Sequence, residues 1–384
     1  MNKKNLTTPS FSRADSSGLA QWWWTIDKLT LISLILLMLI GVLMSLSASP
    51  AIAERLKLDK FFFVKRHIIF LLPSFFIMIG ISFLSPKWIR RFGFLLYFFC
   101  IMLLIFTFFF GFEVKGAKRW LNFYGFSIQP SEIMKPAFII FSAWMLSEGA
   151  RDKNFPGIIF SFISLMVFMV LLIIQPDFGM TFITALTWIA QLFILGLPFM
   201  WFVIILTIGI IGSFGAYIFL PHVAKRIDQF INPSSVDIKN DLYQVHQSLK
   251  AFGSGGIFGI GPGEGTIKRR VPDAHADFVF AVAGEEFGLI LCLIIVGLFT
   301  FIVVRSLVKV INQRSIFAQL AAFGILIQFS LQAMVNMASS LHLMPTKGMT
   351  MPFISYGGSS FLSLGMAMGV VLSITRRHKS YEDI

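Results

Sequence analysis

Residues 278–304 read FVFAVAGEEFGLILCLIIVGLFTFIVV. Apart from Glu285 and Glu286 the run is uncharged, and it is longer than the roughly 20 residues an α-helix needs to cross hydrocarbon. The pattern therefore predicts a membrane span. Two more acids, Asp273 and Asp277, stand just before it in VPDAHAD, residues 271–277. Burying a carboxylate in hydrocarbon is costly unless it is paired or functional. The fold thus turns on how a membrane helix accommodates acids at its mouth and in its body.

Working outward, similar runs recur along the chain. Of 384 residues, 56% are hydrophobic and 13% charged, and Phe alone supplies 45. A soluble domain carries about twice that charge. Ten spans are predicted, at 29–48, 67–84, 92–112, 132–147, 157–174, 178–196, 199–220, 278–304, 316–340 and 353–374. The expected fold is all-α and polytopic. One ten-helix membrane domain, 29–374, lies between an N-terminal tail, 1–28, and a C-terminal tail, 375–384. The fourth span is short and opens with charge, so it is expected to abut protein rather than lipid. SASPAIA after the first span superficially resembles a signal-peptidase site, but the long polar segment before it favours an uncleaved first helix.

Loop charge gives the orientation. Lys87, Arg90 and Arg91, then Arg305, Lys309 and Arg314, lie in two short loops without acids, and Arg376, Arg377 and Lys379 follow the last span. The positive-inside rule puts these segments and both termini in the cytoplasm. The large loop 221–277 is then extracytoplasmic. The net charge of +13 suits contact with anionic membrane lipids, and no feature points to nucleic acid. Cys100 and Cys292 each sit in an apolar run and read as buried or lipid-facing residues.

The large loop contains GSGGIFGIGPGEG, Gly253–Gly265, with seven glycines and a proline in 13 residues. That composition excludes a regular helix. It fits a flexible loop better than an anion nest, and Lys268 lacks Walker A spacing. Asp277, Ala281 and Glu285 are spaced to share one helix face. At a helix N-terminus Asp277 reads either as a cap or as a carboxylate that accepts a proton or holds a metal. Glu285 and Glu286 are too deep for capping and read as functional or paired.

Other polar groups cluster in loops. GAKRWLNFYGFSIQPSEIMKPAF, from Gly116, sets Lys118 and Arg119 beside Trp120, and then Glu132 and Lys135 at a pairing distance of i, i+3. The tandem cations favour reception of an anionic lipid's phosphates, whereas Trp120 alone would suit the interfacial belt. Asp177 is expected to cap the sixth span. Gln328, Gln332, Asn336 and Ser340 form a four-residue stripe on the ninth span that faces the bundle interior. MPTKGMTMPFISYGGSS, Met344–Ser360, predicts non-helical backbone near membrane depth that aims Lys347 into a cavity. His275, a lone histidine, reads as a hydrogen-bonded neighbour of Asp277.

Together GAKRW, QPSEIMK, QPDFG, YQVHQSLKAFGSGGIFGIGPGEG, PDAHADFVFAVAGEEFG and PTKGMTMPFISYGGSS resemble the SEDS family (shape, elongation, division and sporulation). They occur in family order across residues 116–360. Thr346-Lys347 looks like the division branch, FtsW, rather than the elongation branch, RodA. Asp273 stands where Glu is common, and Ala276 where Thr is common, which puts any role for that hydroxyl in doubt.

The resemblance implies a peptidoglycan glycosyltransferase of the bacterial cytoplasmic (inner) membrane that polymerises lipid II at the division septum. Its implied partners are a class B penicillin-binding transpeptidase and other divisome proteins. The family's essential acid matches Asp277. Lys118, Arg119, Trp120, Glu132, Lys135, Arg269, His275, Lys347 and Ser355 are the candidate substrate-binding residues, with Arg270 as an alternative to Arg269. No motif fixes a cofactor, and a divalent cation, Mg2+ or Mn2+, at Asp277 stays open. A lipid II flippase and a non-enzymatic divisome scaffold are the competing expectations.

Overall fold

The structure is a computed structural model. It describes residues 17–114, 117–123, 126–219, 221, 223–224, 227–228, 241–271, 273–345 and 348–376. Twelve α-helices, three short strands and one 3-10 turn form among them. Ten of the helices coincide with the ten predicted spans. These are α2 (Lys28–Arg55), α3 (Phe62–Ser82), α4 (Pro86–Phe110), α5 (Pro130–Arg151), α6 (Gly157–Ile174), α7 (Phe178–Ile194), α8 (Phe199–Phe219), α10 (Val279–Ile311), α11 (Ile316–Ser340) and α12 (Gly358–Ile374). Six of them, α2, α3, α4, α6, α10 and α11, are individually long and apolar enough to cross a membrane. The fold is an all-α polytopic membrane protein. Two further helices, α1 (Gly18–Thr25) and α9 (Asp241–Gly255), form where the sequence reads as tail and loop.

α5 is the central helix. It touches α4, α6, α7, α11 and α12, and nearly every side chain from Pro130 to Ser147 is buried. Protein surrounds it, as its short, charged opening predicts. α4, by contrast, exposes Leu95, Phe99, Met102, Phe109 and Phe110, the apolar row that a membrane helix turns to lipid. α12 packs closely on α3 through small residues. A Cβ at Gly365 would lie 2.4 Å from the Ser74 carbonyl oxygen, and one at Gly369 would lie 2.7 Å from that of Met78. Only glycine allows that approach, the small-xxx-small logic of membrane helix pairs.

The structure departs from the sequence expectations in three further places. Residues 112–128 hold an antiparallel sheet, β1 (Phe112–Val114), β2 (Ala117–Phe123) and β3 (Phe126–Ile128), with Phe112 opposite Trp120 and Leu121 opposite Ile128. The tenth helix starts at Gly358, not at 353, because residues 351–355 form a buried non-helical turn. Phe353 in that turn has φ 61°, is fully buried, and sets its carbonyl oxygen where a Cβ on Gly41 of α2 would be, 2.1 Å away. The third departure concerns the stretch that decides the fold.

α10 is not one straight span. Gly288 adopts φ 71° and ψ −166°, a left-handed backbone that only glycine reaches without strain. This breaks the run into 279–287 and 289–311. The backbone groups freed at the break are taken by the glycine-rich loop. Ile260 and Gly261 N–H groups donate to the carbonyls of Glu285 (3.1 Å) and Glu286 (3.0 Å). Leu289 and Ile290 N–H groups donate to those of Gly256 (3.0 Å) and Ile257 (3.3 Å). The loop is spliced into the helix, so the interrupted ladder stays satisfied, as a low-dielectric setting demands.

Candidate active site

The two acids inside α10 serve the splice. Glu285 accepts hydrogen bonds from the backbone N–H groups of Ile267 (2.7 Å) and Lys268 (2.8 Å). It thereby caps the 3-10 turn Ile267–Arg269. Glu286 is fully buried and accepts from the Lys268 ammonium, the Ser47 hydroxyl of α2 and the Gly263 N–H, the last at 2.9 Å. Lys268 also donates to the Ser47 carbonyl at 2.9 Å. Of the two sequence readings for these acids, the structure fits pairing. It also gives the loop's N–H groups at Gly261 and Gly263 to Glu286 rather than to a phosphate.

Asp277 has a different setting. It lies outside the helix, on the turn 273–278 that precedes α10, so the shared helical face predicted with Glu285 does not form. Its N–H donates to the Asp273 carbonyl at 3.0 Å. The carboxylate rests over Gly348, where a Cβ would lie 3.0 Å from Oδ2. Three hydrogen bonds, two of them through Asn336 of α11, tie this turn to residues 348–357. Asn336 Nδ2 donates to the carbonyls of Asp277 (3.0 Å) and Met349 (2.6 Å), and the Tyr356 N–H donates to the His275 carbonyl (2.9 Å). The His275 ring packs against both Phe63 and Tyr356, with centroids 4.5 and 5.5 Å away, and those two rings also touch each other.

The remaining predicted residues divide into two groups. Lys118 is exposed and Trp120 half-buried on β2, and Arg269 and Arg270 are exposed at the 3-10 turn. Arg119 is instead tied to the α6–α7 turn. It donates to the carbonyls of Gln175 (2.6 Å) and Pro176 (2.7 Å) and lies 3.5 Å from Asp177. Asp177 also accepts from the Met180 N–H, so the predicted cap and a cation pair are both present.

Lys135 pairs with Glu132 at 2.7 Å and donates to Gln332 Oε1 at 3.2 Å. At 3% exposure its ammonium lies under the loop rather than on a surface. Ser355 also faces inward. It is 1% exposed and accepts from the Met351 N–H, closing the 351–355 turn. Lys347, with Thr346, lies outside the described residues. In the predicted polar stripe Gln332 and Asn336 bond the loop, and Gln328 joins Gln332, Lys135, Phe329 and Ser363 around a small cavity.

The sequence does not single out Gly348 or Tyr356, and it marks Asn336 only as part of an inward-facing polar stripe. The four-residue spacing of Asn336 was the available signal, but it did not say which loop the stripe would meet. Among the described residues no group of three His, Cys, Asp or Glu side chains is placed to hold a metal.

The apolar spans, the helix broken at Gly288 and the buried non-helical turn define a polytopic membrane protein. The chain belongs to the FtsW/RodA/SpoVE family, described as cell cycle proteins, whose model matches residues 27–380. This bears out the SEDS resemblance read from the motifs. A relative from Caulobacter vibrioides, named a probable peptidoglycan glycosyltransferase FtsW, is 41% identical, with 96% of this chain and 94% of the relative covered. Stage V sporulation protein E of Bacillus subtilis is 36% identical over 91% of this chain and 97% of its own. Among solved structures, a chain from a peptidoglycan synthase complex that coordinates polymerization and crosslinking matches with TM-score 0.76 at 22% identity, over 92% of this chain and 98% of that one. The rod shape determining protein RodA of Thermus thermophilus matches with TM-score 0.66 at 22% identity, over 92% and 97%.

Proposed function

We propose that this chain is a peptidoglycan glycosyltransferase that polymerises lipid II, with Asp277 as general base. The carboxylate takes the proton of the acceptor's GlcNAc 4-hydroxyl. That oxygen bonds to C1 of the donor's MurNAc. The bond from C1 to the phosphate oxygen breaks with inversion, and undecaprenyl pyrophosphate leaves with the electron pair. The leaving group is multiply anionic, so cations fixed around it lower the barrier. Lys118, Arg269, Arg270 and Lys347 are the proposed cations. Arg119, Glu132 and Lys135 take supporting roles in this reading. Trp120 and His275 flank the substrate. No step runs through a metal.

One observation carries the proposal: the acids of the decisive stretch have different work. Glu285 and Glu286 have their carboxylates engaged by backbone N–H groups, Ser47 and Lys268. Asp277 lies outside the helix, on the turn before α10, half-buried with its carboxylate over Gly348. A lipid II flippase would need a polar path across the bilayer, for which the Gln328/Gln332/Asn336 stripe is the candidate. Two of those three amides are spent on the loop, which weakens that reading.

We further propose that the site faces the outside of the cytoplasmic membrane at the division septum, with both tails inside, and that a class B penicillin-binding transpeptidase is the partner. The test is lipid II polymerisation by the purified full-length protein with that partner, read on gels. Asp277→Asn is expected to lose at least about 10²-fold in rate, the range for a removed general base. Wild-type polymer from that variant ends the proposal. A parallel arm with chelator reports on a divalent cation.

A further inference from the structure

Gln332 and Asn336 are one turn apart on α11 and share a face. Both reach the same loop. We infer that Asn336 is a positioning residue for Asp277, and that Gln332, oriented by Lys135, provides the second fixed point of the same hold. The inference rests on the general-base reading of Asp277.

The amide chemistry supports it. Both groups in front of Asn336 are carbonyl oxygens, so only its NH2 can face them. Its Oδ1 is buried with no hydrogen-bond partner among the described residues. An unpaired buried acceptor is costly, so the side chain's contribution lies in the two bonds that it donates. Those bonds join segments far apart in the chain. One ends on the carbonyl of Asp277 itself. The other ends on Met349, next to Gly348, over which the Asp277 carboxylate sits. A single planar amide therefore spans the two segments whose separation sets the space around the carboxylate.

Gln332 repeats the device one residue along the loop. Its Nε2 donates to the Thr350 carbonyl (3.0 Å) and hydroxyl (3.2 Å). The Lys135 ammonium has no lone pair, so it takes Oε1 and leaves Nε2 for the loop. Thr350 is pinned again by Ser360 at 2.9 Å. Glu132 holds Lys135 in place. The intramembrane ion pair thus acts on the site through an amide rather than by touching substrate. Two successive loop residues, Met349 and Thr350, are fixed from below, and the turn of Asp277 is fixed with them.

The experiment uses the full-length chain with its partner and lipid II, and separates kcat from KM. Asn336→Leu keeps the size and removes both donors. Its kcat is expected to fall about 10²-fold, the cost of a small misplacement of a reacting group, while KM stays within about twofold. Asn336→Ser keeps one donor and should give an intermediate kcat. Gln332→Leu should lower kcat less than Asn336→Leu. If Asn336→Leu does not fold in detergent, Asn336→Ser and Gln332→Leu carry the same kcat-against-KM test. A raised KM with unchanged kcat would make Asn336 a substrate contact and overturn the inference, as would wild-type kinetics in all three variants. Asp277→Asn is run alongside. If it is inactive while the Asn336 variants are normal, only the positioning role falls. If it is active, the general-base reading falls first.

Discussion

The two ends of the bundle are built differently. At the Asp277 end the chain repeatedly leaves the helix. It makes the sheet of β1, β2 and β3, splices the glycine-rich loop into α10, and lays residues 348–357 against α11. At the opposite end it turns within a few residues, as at 83–85, 152–156 and 312–315. There Arg305 and Lys309 meet Asp27, Arg376 donates to the Ser82 carbonyl at 3.0 Å, and Arg90 pairs with Glu148. Irregular backbone at membrane depth survives only where protein satisfies it. The first end therefore needs buried partners for its loops, while the second needs only to close turns beside water. Perturbations should accordingly be severe at the first end and mild at the second.

The largest effect expected from one side chain is the loss of polymerisation in Asp277→Asn, with folding intact. The next is on stability. Lys268→Met leaves Glu286 buried without its cation, with both side chains at most 5% exposed. Breaking such a pair typically costs about 3–5 kcal/mol. Unfolding of the purified protein in detergent measures it. The double variant Lys268→Met with Glu286→Leu should recover much of that loss, because no charge is then stranded. A single variant as stable as wild type would show that the loop splice does not depend on the pair.

The sequence made the helices of both ends legible, since apolar runs of spanning length need only local information. It singled out Asp277 through the resemblance of PDAHADFVFAVAGEEFG to the family pattern, since its place at the mouth of an apolar run is shared by Asp27 and Asp177. The break at Gly288 was hidden. A single glycine in an apolar run reads the same in a straight helix as in a broken one, and its φ depends on Ile257 and Gly259 of a distant loop. The partner of Glu286 was hidden for the same reason, with Ser47 lying 239 residues away. In β2 the alternation is short and mixed with aromatics. In α9 the buried face uses Val245, Gln247, Ser248 and Ala251, too polar a set to give an apolar stripe. What escaped is tertiary: which loop meets which helix.

A smaller effect is expected from Asp27, at the second end. Burial alone would raise its carboxyl, but hydrogen bonds from Arg305, Lys309 and Thr30 outweigh burial and hold it at about 2, below the ordinary 3.8. A depressed value means that the folded state favours the ionised form. The stabilisation is therefore present above about pH 4 and is lost as pH falls toward 2. The shift corresponds to about 2 kcal/mol. Asp27→Asn should lose about that much at pH 7 and flatten the acid limb of the stability profile. An unchanged acid limb in Asp27→Asn would mean that another carboxylate governs it.

The smallest effect sharpens the comparison most. Arg90 and Glu148 pair at 3.1 Å with side chains 25% and 30% exposed, and Glu148 also accepts from Trp144 Nε1 at 3.1 Å. Water can replace either partner at that exposure, so Arg90→Ala should cost no more than about 1 kcal/mol. High salt should shrink the difference further, because an exposed pair is screened. Lys268→Met at the other end should be nearly insensitive to salt, since its pair is shielded from ions. If Arg90→Ala proved as damaging as Lys268→Met, or if both answered to salt alike, the contrast between a solvated closing end and a buried, spliced end would not describe how this protein is held together.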